Sequence, residues 1–378
     1  MFLTEHFDSK GARIAQKIRD YLAQNEFNFA EIPFDSFLYD PIEQDNHHLL
    51  AAIAHEERLA YYFNRNPLPP LLNGIQFTAT HLIAEGGQGL VYLGIRPDED
   101  NGNLYVIKVP KRIPDDHLNR ALYEFMLQQH AYTVLNGTCT VPQPIGFIKR
   151  DNVYILIARF QAIHPGSRSS IMIETAFINH KKCPLLTIRQ WRDVCLSLIT
   201  AFETLQANGI YHNDIKGNNI MLQFFENNVE PVIIDFGLAT RRHSHIYHIN
   251  VDGTRTFFKK RTEAERLARR WYLCPCLFNE PNPIPTSDLY SVVSLMRNLA
   301  SYVNLPVLLE LANLYRTFPP RERPGYQVVF DNIRSTFDAE MMGAVVIKED
   351  ESGEMTYHVS RGKSRILNLL SFLSLCWL

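Results

Sequence analysis

Tyr211-His212-Asn213-Asp214-Ile215-Lys216-Gly217-Asn218-Asn219-Ile220 is the stretch on which the reading of this chain turns. Asp214 is placed to accept a hydroxyl proton. Lys216, two residues on, is placed to neutralise a phosphoryl group in transfer. Asn219, five residues after Asp214, offers an amide oxygen to a metal ion. Sixteen residues beyond Asn219, the apolar run Val232-Ile233-Ile234 leads into Asp235-Phe236-Gly237. A carboxylate at the end of a buried strand is a hard oxygen ligand that suits Mg²⁺. An Asp before Gly, taken alone, reads as a turn, and it is the spacing from Asn219 that speaks for more.

Three upstream pieces fit the same chemistry. Ala84-Glu85-Gly86-Gly87-Gln88-Gly89-Leu90-Val91 lies between two strand-like runs. Glycines there let backbone N–H groups approach phosphate oxygens, and alone the same sequence serves equally as a plain turn. Tyr105-Val106-Ile107-Lys108 ends an apolar strand in a lysine nineteen residues after Gly89. Glu124 follows sixteen residues later on a predicted helix, where it can pair with Lys108.

Strands are expected at Phe77–Ala84, Leu90–Ile95, Leu104–Val109, Ile145–Lys149 and Val153–Phe160, with a helix after Asp115-Asp116. Past Thr187 the period becomes helical. Trp191, Val194, Cys195, Leu198, Phe202 and Leu205 step by three and four, with Thr187 placed to cap and Gly209 to stop. A strand at Val232–Ile234 and a helix from Ser287 to about Val303 follow. A β-rich part preceding an α-rich part implies an α+β class with two lobes. Residues 1–66 read as helices, and Asn66-Pro67-Leu68-Pro69-Pro70 as an extended linker.

The ordered set of glycine loop, strand Lys, helix Glu, H-x-D-x-K-x-x-x-N loop and D-F-G resembles the signature of the eukaryotic-type protein kinase superfamily. The resemblance covers about residues 77–338, with an N-lobe over about 77–160 and a C-lobe over about 161–338. It leaves a helical N-terminal extension with its linker at 1–70 and a tail at 339–378. It implies ATP and Mg²⁺ as cofactors, with Ala84, Gly86, Gly87, Gly89 and Val91 around the nucleotide and Lys108, oriented by Glu124, on the phosphates. Asn219 and Asp235 would hold the metal, Asp214 would take the hydroxyl proton and Lys216 would stabilise the phosphoryl group. Lys216 resembles the Ser/Thr-directed members. The hinge falls near Arg159-Phe160-Gln161-Ala162, with Ala158 as gatekeeper. Ser287-Asp288-Leu289-Tyr290-Ser291 is similar to the family's helix whose Asp braces the catalytic loop, and Pro320-Arg321-Glu322-Arg323-Pro324 to its late Arg-Pro element.

The chain departs from the family at three places. Ala84 replaces the first glycine, and Asn213 replaces the Arg that meets a phosphate on the activation loop, which argues against regulation by that route. Cys274-Pro275-Cys276 stands where Ala-Pro-Glu is expected, so the Glu that would pair with Arg323 is missing. A buried unpaired Arg costs about 3–5 kcal/mol, so another acid such as Glu280 is expected to replace it, or Arg323 to reach water. The roughly forty residues from Asp235 to Cys276 are basic, with Arg241, Arg242, Arg255, Lys259, Lys260, Arg261, Arg266, Arg269 and Arg270. They read as a solvated loop or as a dock for an acidic or phosphorylated protein substrate. His243, His245 and His248 with Cys274 and Cys276 match no known zinc-finger spacing.

Composition is ordinary for a globular protein. The 378 residues are 46% hydrophobic and 21% charged, and 38 Lys+Arg against 40 Asp+Glu leave no polycation for nucleic acid. Six cysteines without a C-x-x-C pair exclude a disulfide scaffold and favour a reducing, cytoplasmic setting. The divergent motifs, the extensions and the acidic Glu349-Asp350-Glu351 cluster would also suit a secreted bacterial effector in a host cytosol. The start MFLTEHFDSK is not a secretory signal, and no apolar run is long enough to span a membrane. The last thirteen residues, ILNLLSFLSLCWL, read as a docked terminal helix or a weak membrane-surface tail. Two rival functions remain: a pseudokinase acting as a nucleotide-binding scaffold, and a small-molecule phosphotransferase of related fold.

Overall fold

The computed structural model describes residues 36–37, 69–72, 75, 77–85, 89–96, 103–110, 117–136, 141–150, 153–159, 169–180, 186–226, 228–241, 247–249, 255–257, 274, 276, 284–341, 345–349 and 355–359. Five strands of the first lobe follow the alternating apolar runs: β2 (Phe77–Glu85), β3 (Gly89–Ile95), β4 (Leu104–Pro110), β5 (Pro144–Arg150) and β6 (Val153–Arg159). A short β1 (Ser36–Phe37) joins them, giving one antiparallel sheet in the order β1-β2-β3-β4-β6-β5. Phe77, Tyr105, Ile107, Ile148, Ile155 and Ile157 face one side of that sheet and bury each other, with the Phe77 and Tyr105 rings edge to face at 5.2 Å.

Helix α1 (His117–Val134) connects β4 to β5 and carries Leu122, Phe125 and Met126 on its inner face. These belong to the same core as Trp191, Phe202, Leu289 and Phe337, so α1 joins the sheet to the helical lobe. Buried Gln128 donates from Nε2 to the Pro142 carbonyl at 2.7 Å and fixes the helix against the segment leading into β5.

The second lobe is built on α3 (Ile188–Ala207), which follows β7 (Ser169–Met172) and α2 (Ile173–His180). Thr187 caps α3 in a reciprocal box. Its Oγ1 accepts from Gln190 N at 3.2 Å, while Gln190 Oε1 accepts from Thr187 N at 2.9 Å. The expected stop is also found, since Gly209 turns the chain at φ 72°. Next come β8 (Ile210–Tyr211), β9 (Ile220–Phe224) and β10 (Val229–Ile233), then β11 (Thr240–Arg241), β12 (Tyr247–Ile249) and β13 (Arg255–Phe257). Helices α4 (Ser287–Val303), α5 (Pro306–Thr317) and α6 (Tyr326–Met341) complete the lobe, ahead of a hairpin of β14 (Val345–Glu349) and β15 (Met355–Val359). The α+β, two-lobed architecture agrees with the sequence reading, as do the ends of α4.

At both ends of the chain the described residues add to the sequence reading. The helices expected at Ile14–Leu22 and His48–Phe63 lie outside the described residues, and within the N-terminal extension Ser36–Phe37 is a strand paired with Thr78 and Phe77. Phe37 suits a pleated surface better than a helix. The end of the Pro-rich linker is docked on the sheet: Phe147 N donates to the Pro70 carbonyl and Leu72 N to the Phe147 carbonyl. A Cβ on Gly146 would collide with the Pro70 carbonyl oxygen, so the glycine is what lets the linker lie this close. At the other end, α6 runs past residue 338 and the tail contains a β-hairpin. The terminal apolar run from Ile366 lies outside the described residues. Among the described residues no helix is long and apolar enough to cross a membrane.

Candidate active site

Lys108 lies on β4, the central strand of the sheet next to β6, and its side chain points to the other lobe. Its Nζ is 2.5 Å from Glu124 Oε1 on α1 and 3.0 Å from Asp235 Oδ1. Three elements far apart in sequence thus meet at one ammonium group. Burial would lower the Lys108 pKa, but the charges of Asp235 and Glu124 outweigh it and hold the pKa above the ordinary lysine value. Lys108 in turn holds the Asp235 carboxyl down at about 2, against the upward push of burial. Burial pushes the Glu124 carboxyl up, with Lys108 opposing.

Asp235 has φ 65° and ψ 75°, a left-handed conformation that Asp tolerates, and it opens the short 3₁₀ turn Phe236–Leu238. Phe236 is buried in the core shared with α1, and its ring lies 5.1 Å from that of His212. His212 Nε2 is 3.0 Å from the Ile234 carbonyl, so the imidazole ties the loop at 212 to the strand end that presents Asp235.

The loop from His212 to Asn219 is held from below by Asp288 at the start of α4. The buried Asp288 carboxylate accepts from His212 N at 2.7 Å and from Asn213 N at 3.0 Å. Within the loop, the Asp214 carboxylate is 4% exposed as a residue and accepts from Lys216 Nζ at 2.8 Å. Asn219 Nδ2 donates both to Asp214 Oδ2 at 3.0 Å and to the Asp214 carbonyl at 2.8 Å. With its nitrogen committed to Asp214, Asn219 keeps its amide oxygen for another partner. That oxygen and the ionised Asp235 carboxylate are hard donors of the kind a divalent cation takes, so the residues present fit Mg²⁺.

The profile of the family described as "Protein kinase domain" matches residues 77–303, more than half of the chain. The chain is a member of the protein kinase family. Among curated proteins it resembles a probable serine/threonine-protein kinase of Dictyostelium discoideum, 27% identical over 160 residues, which are 42% of this chain and 22% of the relative. A second, fhkB of the same organism, is also called a probable serine/threonine-protein kinase. It is 25% identical over 242 residues, 62% of this chain and 18% of the relative. This kinase therefore spans about a fifth of the length of the relatives it matches.

Six of the expected residues are gathered by the fold into two groups: Lys108 with Glu124 and Asp235, and Asp214 with Lys216 and Asn219. Ala84 is exposed near the end of β2 and pairs with Val91 on β3. Gly89 opens β3 opposite Pro110, where a Cβ would stand 2.6 Å from the Val109 carbonyl oxygen. Gly86, Gly87 and the hinge residues Phe160, Gln161 and Ala162 lie outside the described residues, while Ala158 is buried on β6.

For Arg323 the described residues supply a different set of partners from the acid expected. It is 7% exposed, and no carboxylate among the described residues pairs with it. Its Nη1 donates to Cys274 Sγ at 2.8 Å, and its guanidinium lies 4.3 Å over the Tyr290 ring. The sulfur and the ring occupy the place where an acid was expected, and Glu280 lies outside the described residues. Cys274 and Cys276 are joined as a disulfide, so counting only C-x-x-C pairs missed the C-x-C pair that bonds. Of the zinc candidates, His243 and His245 lie outside the described residues, and no cluster of three or more metal-ligating side chains occurs among the described ones. Two residues that sequence reading left without a role prove structural: Thr240, which meets Asn213, and Tyr290, which faces Arg323. Nothing in the local sequence marks either.

The depressed Asp235 pKa has a testable sign. Its folded value lies below the unfolded one, so the Lys108–Asp235 contact stabilises the fold above about pH 4 and that contribution fades as the pH falls toward 2. Urea unfolding of wild type and Asp235→Asn at stepped pH should give a stability difference that is constant from pH 5 to 7 and shrinks below about pH 4. A difference that grows on acidification would contradict the assignment.

Proposed function

We propose that this kinase transfers the terminal phosphoryl group of ATP to serine or threonine hydroxyls of protein substrates, with Mg²⁺. The observation that carries this is the meeting of Lys108 with both Glu124 and Asp235, because phosphoryl transfer needs the lysine and the metal-holding carboxylate set together. Bound ATP with its cation supplies the transferable group and the positive charge that offsets its oxygens. Lys108 would hold phosphate oxygens, with Glu124 fixing the direction of its ammonium. The Asp235 carboxylate and the Asn219 amide oxygen would hold the cation. Asp214 would orient the substrate hydroxyl and take its proton, and Lys216 keeps positive charge beside it. Gly86, Gly87 and Gly89, with Ala84 and Val91, would cover the nucleotide. Lys216 and the names of the relatives support serine/threonine direction. The basic residues between Arg241 and Arg270 support an acidic or phosphorylated protein partner. The kinase domain would run from 77 to 338, between the extension at 1–70 and the tail at 339–378, and work in a cytosol.

Activity would not wait for a phosphate on the activation segment. Asn213, at φ 61°, donates from Nδ2 to Thr240 Oγ1 at 2.9 Å and to the carbonyls of Leu238 and Tyr211, both at 3.2 Å. Beside it, β11 pairs with β8. A neutral amide thus holds the start of the segment where the family uses an arginine and a phosphate. Phosphatase-treated protein should keep its transfer rate within about twofold. Asn213→Ala should lose about tenfold, since each lost buried hydrogen bond is worth about 1 kcal/mol. Full dependence on prior phosphorylation would sink this account.

The function itself is tested with radiolabelled ATP and Mg²⁺, using the chain itself and a generic basic protein as acceptors. Label on serine or threonine with wild type, and none with Asp235→Ala, supports the proposal. Nucleotide binding without transfer favours the scaffold reading, and transfer only to sugars, aminoglycosides or choline favours the small-molecule one.

A further inference from the structure

Arg323 is a buried cation, and among the described residues none of its neighbours holds a negative charge. A disulfide sulfur is a weak acceptor, the Tyr290 ring offers only its face, and Arg323 Nε has no hydrogen-bond partner. A thiolate at the same sulfur would be a full counter-charge, and a neighbouring guanidinium is what favours the thiolate form of a cysteine. We propose that Cys274 and Cys276 are a thiol–disulfide pair whose reduced form supplies Arg323 with its counter-charge. The Cys274 thiolate then stands in for the missing carboxylate, and joining the two sulfurs removes that charge.

The positions permit both states. The two Cα atoms are 5.2 Å apart, within the range a disulfide spans, and Cys276 N already donates to Cys274 Sγ at 3.2 Å. With hydrogen peroxide as oxidant, the Cys274 thiolate attacks one peroxide oxygen, forming a sulfenic acid and releasing hydroxide. The Cys276 thiol then attacks that sulfur, the S–S bond forms and water leaves with the thiol proton. Two electrons pass from the sulfurs to the peroxide. Cys195 shows the contrast. It is as buried as Cys274 and lies in the same core, but among the described residues no cation stands beside it, so burial alone acts and pushes its thiol pKa well up.

The inference concerns folding and sulfur chemistry, so it stands apart from the proposed transfer activity. Its test uses the full chain, reduced with dithiothreitol or treated with dilute peroxide, then mapped by mass spectrometry. Thiolate absorbance of reduced wild type minus that of Cys274→Ser, followed against pH, gives the Cys274 midpoint. We expect a Cys274–Cys276 bridge only after peroxide, and a Cys274 midpoint below the ordinary value of about 8.5. Cys274→Glu should unfold at a higher temperature than Cys274→Ser by about 3 °C or more, because the carboxylate again pairs with Arg323. A midpoint at or above about 8.5, or peroxide-treated protein without the bridge, overturns the proposal. Neither of those readouts uses the Glu variant, and the bridge is mapped on wild type alone, so they decide even if that variant does not fold.

Discussion

Asp214→Asn should lower phosphoryl transfer by about 10²–10⁴-fold while leaving nucleotide affinity within about threefold, the range expected when a general base is removed. The substitution is nearly isosteric. An Asn at 214 still offers an oxygen to Lys216 Nζ and Asn219 Nδ2, which now lie 2.8 and 3.0 Å from the carboxylate. What it loses is the ability to hold a proton from the incoming hydroxyl. Lys108, Glu124 and Asp235 are not altered, so equilibrium binding of a fluorescent nucleotide is the control. Single-turnover transfer within about threefold of wild type would remove Asp214 from the proton's path.

Asp288→Ala should be the most destabilising change in the site. The carboxylate accepts two buried backbone N–H groups, those of His212 and Asn213. Alanine leaves both without an acceptor, at about 1–3 kcal/mol each, so a loss of about 2–6 kcal/mol is expected in denaturant unfolding. Relief from burying a carboxylate offsets part of this, since burial already pushes the Asp288 pKa up. The same change should abolish transfer, because Asn213 sits at φ 61° and the loop carrying Asp214 is shaped by those two bonds. Asp288→Asn should recover little, because its amide meets two donors with one acceptor. A loss under about 1 kcal/mol would show that water or another group replaces the carboxylate.

Much of this site was legible in the sequence because its parts are spaced by elements of fixed geometry. A strand of β4's length presents Lys108, one helix brings Glu124 beside it, and the β10 strand delivers Asp235. The cap at Thr187 and the stop at Gly209 were legible for a related reason, being local chemistry with its partners three residues apart or fewer. What stayed hidden depended on meetings across long separations with no chemical rule to announce them. Arg323 meets Cys274 across 49 residues, and Asn213 meets Thr240 across 27. Acids were sought for Arg323 because charge pairing is the rule that sequence reading can apply. The sulfur and the aromatic face satisfy no such rule. The strand at Ser36–Phe37 is too short to carry an alternating pattern, so only its partner β2 defines it.

That short strand and the docked end of the linker lie on opposite borders of the first-lobe sheet. β1 pairs outside β2, while Leu71 bridges to Phe147 outside β5. Both come from the chain ahead of Phe77. An uncovered strand border is a template for pairing with another molecule. The leading segment thus covers part of both borders. Protein begun at Phe77 should self-associate more strongly than the full chain in sedimentation experiments at matched concentration.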